Sequence, residues 1–280
     1  ASLVWVDRAG RSTGIAGERL DYSHLALGGG GREALLDLSG ALFVRDIVRG
    51  SRRLLSPDGW FPIWTPDARW ATHAGRTGGL HAIVRRPADG SGQPETLITS
   101  KTRLVPTSWN SRTGELAYFD QASDIGILKP GTQPRSLLAS AANERSGMFS
   151  PDGRWLAYVS DETGSYQVYV VPYPGPGRKI AVSIDGGMAP VWSPNGNELF
   201  FRRGGRLLSA SMTYSPSIAA GAPVVLFDGP YTMDFMGHQR YDVARDGRFL
   251  MVEDAGDFRF IVVQAWAEEV KKLVGRGTGA

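Results

Sequence analysis

Cysteine is absent from these 280 residues. That excludes disulfides, thiol nucleophiles, cysteine-ligated zinc and thioether-linked haem. No run approaches the roughly 20 apolar residues that a membrane helix requires. The opening ASLVWVDRAGRSTG carries charges at residues 7, 8 and 11, which is not the apolar core of a signal peptide. The stretch is expected to be soluble and to make no membrane contact of its own, and any signal or anchor would lie in a longer parent. Basic blocks are lacking too. The net charge is +3, and the densest run, Arg202-Arg203-Gly204-Gly205-Arg206, is short and broken by glycine. A nucleic-acid partner is therefore not expected.

Catalytic motifs are equally scarce. There is no P-loop, HExxH, EF-hand pattern or N-x-S/T acceptor. No HRD, DFG or VAIK element is present, so kinase-type phosphoryl transfer is excluded for this stretch. Gly29-x-Gly31-x-x-Ala34 matches a dinucleotide fingerprint only loosely and lacks the strand–helix context that the fingerprint needs.

What the chain has in quantity is glycine, 36 residues, and proline, 17, which suits many short strands joined by tight turns. The turns recur. FSPDGRWLAY from Phe149 aligns with LGGGGREALL from Leu27, WTPDARWATH from Trp64, WNSRTGELAY from Trp109, WSPNGNELFF from Trp192 and VARDGRFLMV from Val243. The serine-equivalent positions are therefore 28, 65, 110, 150, 193 and 244. In the fullest copy Pro151 presets φ for a type I turn, Asp152 can bond nearby backbone, and Gly153 suits the closing position. The first turn is all glycine and the third lacks both proline and aspartate, yet both remain turn formers. Each turn is followed by an alternating strand such as Trp155-Leu156-Ala157-Tyr158-Val159, then by YQVYVVPY and RKIAVSI.

Four strands per unit of about 43 residues is the period of a propeller blade. The expectation is an all-β, six-bladed β-propeller of four-stranded blades. Trp64, Trp109 and Trp192 share one repeat position and are read as packing between blades. LVWVDRAGRSTGI reads as two outer strands, and RFIVVQAW reads as a further outer strand. One strand is then surplus, so a seven-position ring with an incomplete blade stays open. AEEVKKLV reads as a short closing helix with Glu268 placed for Lys272. The expected domain is residues 1–274, with a flexible tail at 275–280.

These copies, with the D-x-x-G loop after the WLAY strand, resemble the TolB-type, WD-like six-bladed propellers. The order of motifs is similar to the propeller that follows the membrane segment in bacterial receptor-like Ser/Thr protein kinases. The resemblance covers nearly the whole chain. It implies a scaffold for binding or sensing and an extracytoplasmic, periplasmic setting. It does not by itself imply chemistry.

Topology narrows the search for a site. The SPDG-type turns lie on one face of the ring, and the starts of the innermost strands converge on the other. That second face is expected to hold the site, at the mouth of the axial channel. The candidate ligand contacts are Tyr22, Trp60, Phe61, Arg103, Arg145 and Arg240, which would receive a small molecule, a peptide or a protein. The four histidines map to that face as well: His24 and His238 near the axis, His73 and His81 beside a loop. A second reading is a metal-assisted hydrolase or lyase of lactones, esters or phosphotriesters. It needs a divalent cation such as Ca2+ in the channel, with Asp21, Glu144, Asp234 and His238 as ligands. His24, His238 and Glu144 would be its catalytic groups. A third reading is an assembly module that uses exposed outer strands.

Overall fold

Turn chemistry that repeats in sequence repeats in space. The computed structural model describes residues 1–15, 19–122, 124–233 and 239–254. The first two strands are β1 (Ser2–Val6) and β2 (Ser12–Gly14). Blade one then comprises β3 (Tyr22–Leu27), β4 (Glu33–Leu38), β5 (Ala41–Asp46) and β6 (Arg52–Ser56). Blade two is β7 (Trp60–Trp64), β8 (Trp70–Thr77), β9 (Leu80–Pro87) and β10 (Glu95–Ser100). Blade three is β11 (Leu104–Trp109), β12 (Leu116–Asp120), β13 (Ile125–Leu128) and β14 (Arg135–Leu138). Blade four is β15 (Glu144–Phe149), β16 (Trp155–Ser160), β17 (Gln167–Pro172) and β18 (Ile180–Ala181).

Blade five holds β19 (Met188–Trp192), β20 (Glu198–Arg203) and β21 (Arg206–Thr213), with β22 (Ala219–Ala220) and β23 (Val224–Asp228) both pairing to β21. The last sheet contains β24 (Tyr241–Val243) and β25 (Phe249–Glu253), and its order is β2-β1-β25-β24. The described residues thus form six antiparallel sheets, and the ring is closed by the N-terminal strands completing the C-terminal blade. Val4 pairs with Met251 on one side and Gly14 on the other. β1 and β2 are thus the third and fourth strands of blade six. RFIVVQAW, the AEEVKKLV helix and the tail at 275–280 lie outside the described residues.

The repeated turn is a small hydrogen-bonded device. The Ser150 hydroxyl donates to Asp152 Oδ1 at 2.6 Å and accepts from the Trp155 N–H at 3.0 Å, and the Arg154 N–H donates to Asp152 at 3.1 Å. Thr65 with Asp67 and Ser193 with Asn195 repeat the pattern. The last turn residue is left-handed, with φ of 68° at Gly153 and 54° at Ala68. Ser56-Pro57-Asp58-Gly59 has the same letters in another place, linking blade one to blade two on the opposite face. There the Ser56 hydroxyl donates to the Asp58 carbonyl, and Gly59 is glycine because a Cβ would meet His73 and Leu42 at 2.7 Å.

The turn positions yield a paired prediction. A Cβ on Gly153 would stand 2.3 Å from Asn110 Oδ1. Asn110 is wholly buried and clasps the Gly153 carbonyl through its side-chain amide at 2.9 Å. In the preceding pair of blades Gly28 stands where Asn110 stands, so Ala68 meets no such side chain. Gly153→Ala is expected to cost about 2 kcal/mol or more, from backbone strain plus the clash, while Ala68→Gly should stabilise by up to about 1 kcal/mol. Urea midpoints of the two variants check this, and shifts in the same direction would contradict it.

Blades pack through the aromatic repeat position, as expected. The Trp64 and Trp192 indole N–H groups donate to the Ala26 and Met148 carbonyls of the preceding blade, both at 3.0 Å, and Trp109 donates to Thr72 Oγ1 at 3.1 Å. Each ring therefore packs against the preceding blade without leaving its polar handle unpaired.

Candidate functional site

The innermost strands share a second device that no letter pattern announces. In blades one to five their pairing register shifts by a bulge: between Tyr22 and His24, Trp60 and Ile63, Pro106 and Ser108, Arg145 and Met148, and Met188 and Val191. Phe61, Ser146 and Ala189, each four residues before its serine-equivalent, have φ between 51° and 54°. A left-handed conformation is rare for any residue with a Cβ and is an outlier for one as bulky as phenylalanine. A bulge of this kind re-aims the side chains around it.

At Phe61 the result is a groove between blades two and three, on the face away from the SPDG turns. It has a volume of about 260 Å³, and Trp60, Phe61, Arg76, His81 and Arg103 are among the residues that line it. The Arg103 guanidinium carbon lies 4.9 Å from the centre of the Phe61 ring, and His24 meets the same ring edge-on at 5.8 Å. Beneath the bulge is Asp37, fully buried, whose Oδ1 accepts the Gly40 N–H at 2.9 Å. Burial pushes the Asp37 carboxyl above its ordinary range, and the Gly40 and Phe61 N–H groups pull it back. Arg76 and Arg103 are exposed, and no carboxylate is among the groove's lining residues. The groove is aromatic on its walls and cationic at its rim.

Three of the expected contacts, Trp60, Phe61 and Arg103, are thus brought together, and His81 joins them. The others are not. Tyr22 is 2% exposed and packs in the core of blade one, because the bulge after it resets which side chains face the axis. Arg145 lies over the Tyr166 ring at 5.8 Å. Arg240 lines a small cleft between blades five and six with Arg202 and Tyr241. Among the described residues, the groove on this face lies between blades two and three.

Of the metal reading's residues the structure describes Asp21, Glu144 and His24. Glu144 is buried, and its carboxylate is taken by the Ser140 hydroxyl and backbone N–H. Asp21 accepts from the Ser39 hydroxyl at 3.1 Å. Asp234 and His238 lie outside the described residues. Among the described residues no three His, Asp or Glu side chains gather closely enough to hold a metal ion. His73 is not at a loop but buried mid-strand in β8, where burial pushes its imidazole down to about 4. Its Nε2 accepts from Arg86 Nε at 3.2 Å, so the neutral ring donates from Nδ1 to the Ala74 carbonyl at 2.9 Å. His24 lines a narrow waist of about 20 Å³ in the axial channel, beside Ile63, Val105, Phe119 and Gln239.

From that waist the channel widens toward the SPDG face. All six blades contribute to a cavity of about 260 Å³ there, whose aromatic wall is Trp64, Trp109, Phe149 and Trp192. The residues that build it were visible in the repeat, and reading them as packing alone missed that their rings also border open space.

The fold is that of the TolB-type six-bladed β-propellers. A protein described as TolB from Agrobacterium tumefaciens superposes with a TM-score of 0.71 at 19% identity, covering 90% of this chain and 96% of that one. TolB from Acinetobacter baumannii does so with 0.60 at 16% identity, covering 80% and 66%. An oligogalacturonate lyase in complex with manganese gives 0.59 at 13% identity, covering 87% and 80%. In sequence, an uncharacterised protein of Agrobacterium fabrum is 28% identical over 131 residues, which is 44% of this chain and 43% of that protein. The Tol-Pal system protein TolB of Thioalkalivibrio sulfidiphilus is 35% identical over 85 residues, 30% of this chain and 19% of that protein. The chain thus spans less than half the length of either curated relative. No protein-family model matches it.

Proposed function

We propose that this propeller is a binding module that holds an acidic segment of a partner protein in the groove between blades two and three. One observation carries the reading. Arg103 is stacked on a phenylalanine fixed by a strained bulge, beside Trp60 and Arg76, with no carboxylate among the lining residues to neutralise them. Aromatic and arginine side chains in a concave site are the groups that dominate protein recognition. A cationic rim also selects acidic partners by long-range attraction. The similarity to a protein named for the Tol-Pal system supports a protein as the partner, and an extracytoplasmic setting belongs to the same reading.

The test is a peptide array of acidic, neutral and basic decamers, probed with the wild type and with Trp60→Ala/Arg103→Glu. Arg103 is exposed and Trp60 half-buried against the core, so the variant should stay folded with a lowered melting temperature. Acidic peptides should be retained by the wild type and lost, by about tenfold or more in affinity, from the variant. Equal retention of acidic and basic peptides, or an unchanged profile in the variant, would overturn the reading.

A further inference from the structure

The axial cavity on the SPDG face has its own chemistry, independent of the groove on the other side. Most of its side-chain donors are already used. The Thr107, Ser108, Ser111 and Ser150 hydroxyls donate to the Ala117, Gly147 and Pro151 carbonyls and to Asp152. The indole N–H groups of Trp64, Trp109 and Trp192 are committed to neighbouring blades. Gln239 donates its amide nitrogen to the Pro190 carbonyl at 2.9 Å. What remains for a ligand is acceptor capacity and aromatic surface. Among the described residues, the one charged group lining the cavity is Asp242. Among the described residues, its Oδ2 accepts the Leu27 N–H and its Oδ1 the Val243 N–H, both at 2.8 Å. A carboxylate oxygen has room for a second donor.

We propose that this cavity is a binding site for an organic cation, an alkylammonium or guanidinium group received between the aromatic rings and the Asp242 carboxylate. A cation gains from both partners here: it neutralises a partly desolvated carboxylate and lies against ring faces and edges of indole and phenyl groups. Among the described lining residues an anion would find one like charge and no cation, and a neutral polar ligand would find few donors. The volume of about 260 Å³ suits a single small ligand or one inserted side chain.

The two sources of such a group, a free amine or a lysine or arginine of a partner, are separated by the choice of probe. The indole N–H resonances of the protein are followed by NMR during titration with agmatine, with N-acetyl-arginine amide, with an arginine-containing hexapeptide, and with N-acetyl-glutamine amide as the neutral control. Trp64, Trp109 and Trp192 should shift saturably with the cations and not with the control. Tighter binding of the hexapeptide than of agmatine assigns the site to a partner side chain, and the reverse assigns it to a small molecule.

Asp242→Asn should weaken every cation by about tenfold or more. It should also fold, with somewhat lowered stability: it relieves the penalty of a buried charge, since burial pushes the Asp242 carboxyl up to about 6, but its amide keeps one acceptor oxygen for the two backbone N–H groups. A second variant leaves Asp242 untouched: Ser111→Arg, at the exposed rim, tethers a competing cation over the opening and should block the probes. Shifts that are equal for the control and the cations, or cation binding undiminished in both variants, would overturn the proposal.

Discussion

Val4→Pro is expected to unfold the ring. Val4 is the centre of β1, which is hydrogen-bonded on both sides, to β25 and to β2. Its side chain is 3% exposed and packs with Phe249, Met251 and Phe200. Proline removes the N–H and places its ring against a neighbouring strand, so the cost should exceed about 3 kcal/mol. The loss spreads beyond one strand. β1 joins the two ends of the chain, and releasing it exposes the apolar sides of blades six and one together. Chemical denaturation of the variant should show a lost or strongly lowered transition. A midpoint equal to the wild type would mean that β1 is not a central strand of blade six.

Arg202→Ala is the second large effect. Arg202 is 2% exposed, and its Nη2 donates to the Gly204, Gly205 and Tyr231 carbonyls at 3.3, 3.3 and 3.1 Å. Burial lowers the affinity of its guanidinium for the proton, yet it remains a cation at any working pH. Truncation leaves those carbonyls without their donor and opens a cavity between blades five and six. The expected cost is about 3 to 5 kcal/mol. Arg202→Met refills the volume and should recover part of it, which separates the packing loss from the lost hydrogen bonds. A cost under about 1 kcal/mol for the alanine variant would show that the buried guanidinium contributes little.

The blade count was legible because its marker is local. Thr65, Ser150 and Ser193 bond to residues two and five positions on, so each turn is encoded within six letters. Ring closure was not legible in the same way: the partner of Val4 is Met251, and nothing near residue 4 names it. Ser56-Pro57-Asp58-Gly59 shows the limit of the letters themselves, since only the spacing of about 43 residues separates a hairpin turn from a link between blades.

The site was half legible for a reason that also lies in the backbone. Trp60, Phe61 and Arg103 could be placed on the right face by repeat register alone. The bulges could not be foreseen, because phenylalanine, serine and alanine at Phe61, Ser146 and Ala189 carry no signature of a left-handed φ. Each bulge shifts the in–out alternation by one residue, which is why Tyr22 turns into the core while His24 reaches the channel. The cavity beneath Trp64, Trp109 and Trp192 was hidden differently. A ring can satisfy its neighbour through the indole nitrogen and still border open space.

The two proposed sites would take ligands of opposite charge, with cationic Arg76 and Arg103 on one face and anionic Asp242 on the other. One indole N–H spectrum tests both faces, because Trp60 lines the groove while Trp64, Trp109 and Trp192 line the axial cavity. Titration with an acidic decamer should move Trp60 and leave the other three in place. Titration with N-acetyl-arginine amide should do the reverse. Movement of all four with either ligand, or of the wrong set with each, would contradict the account.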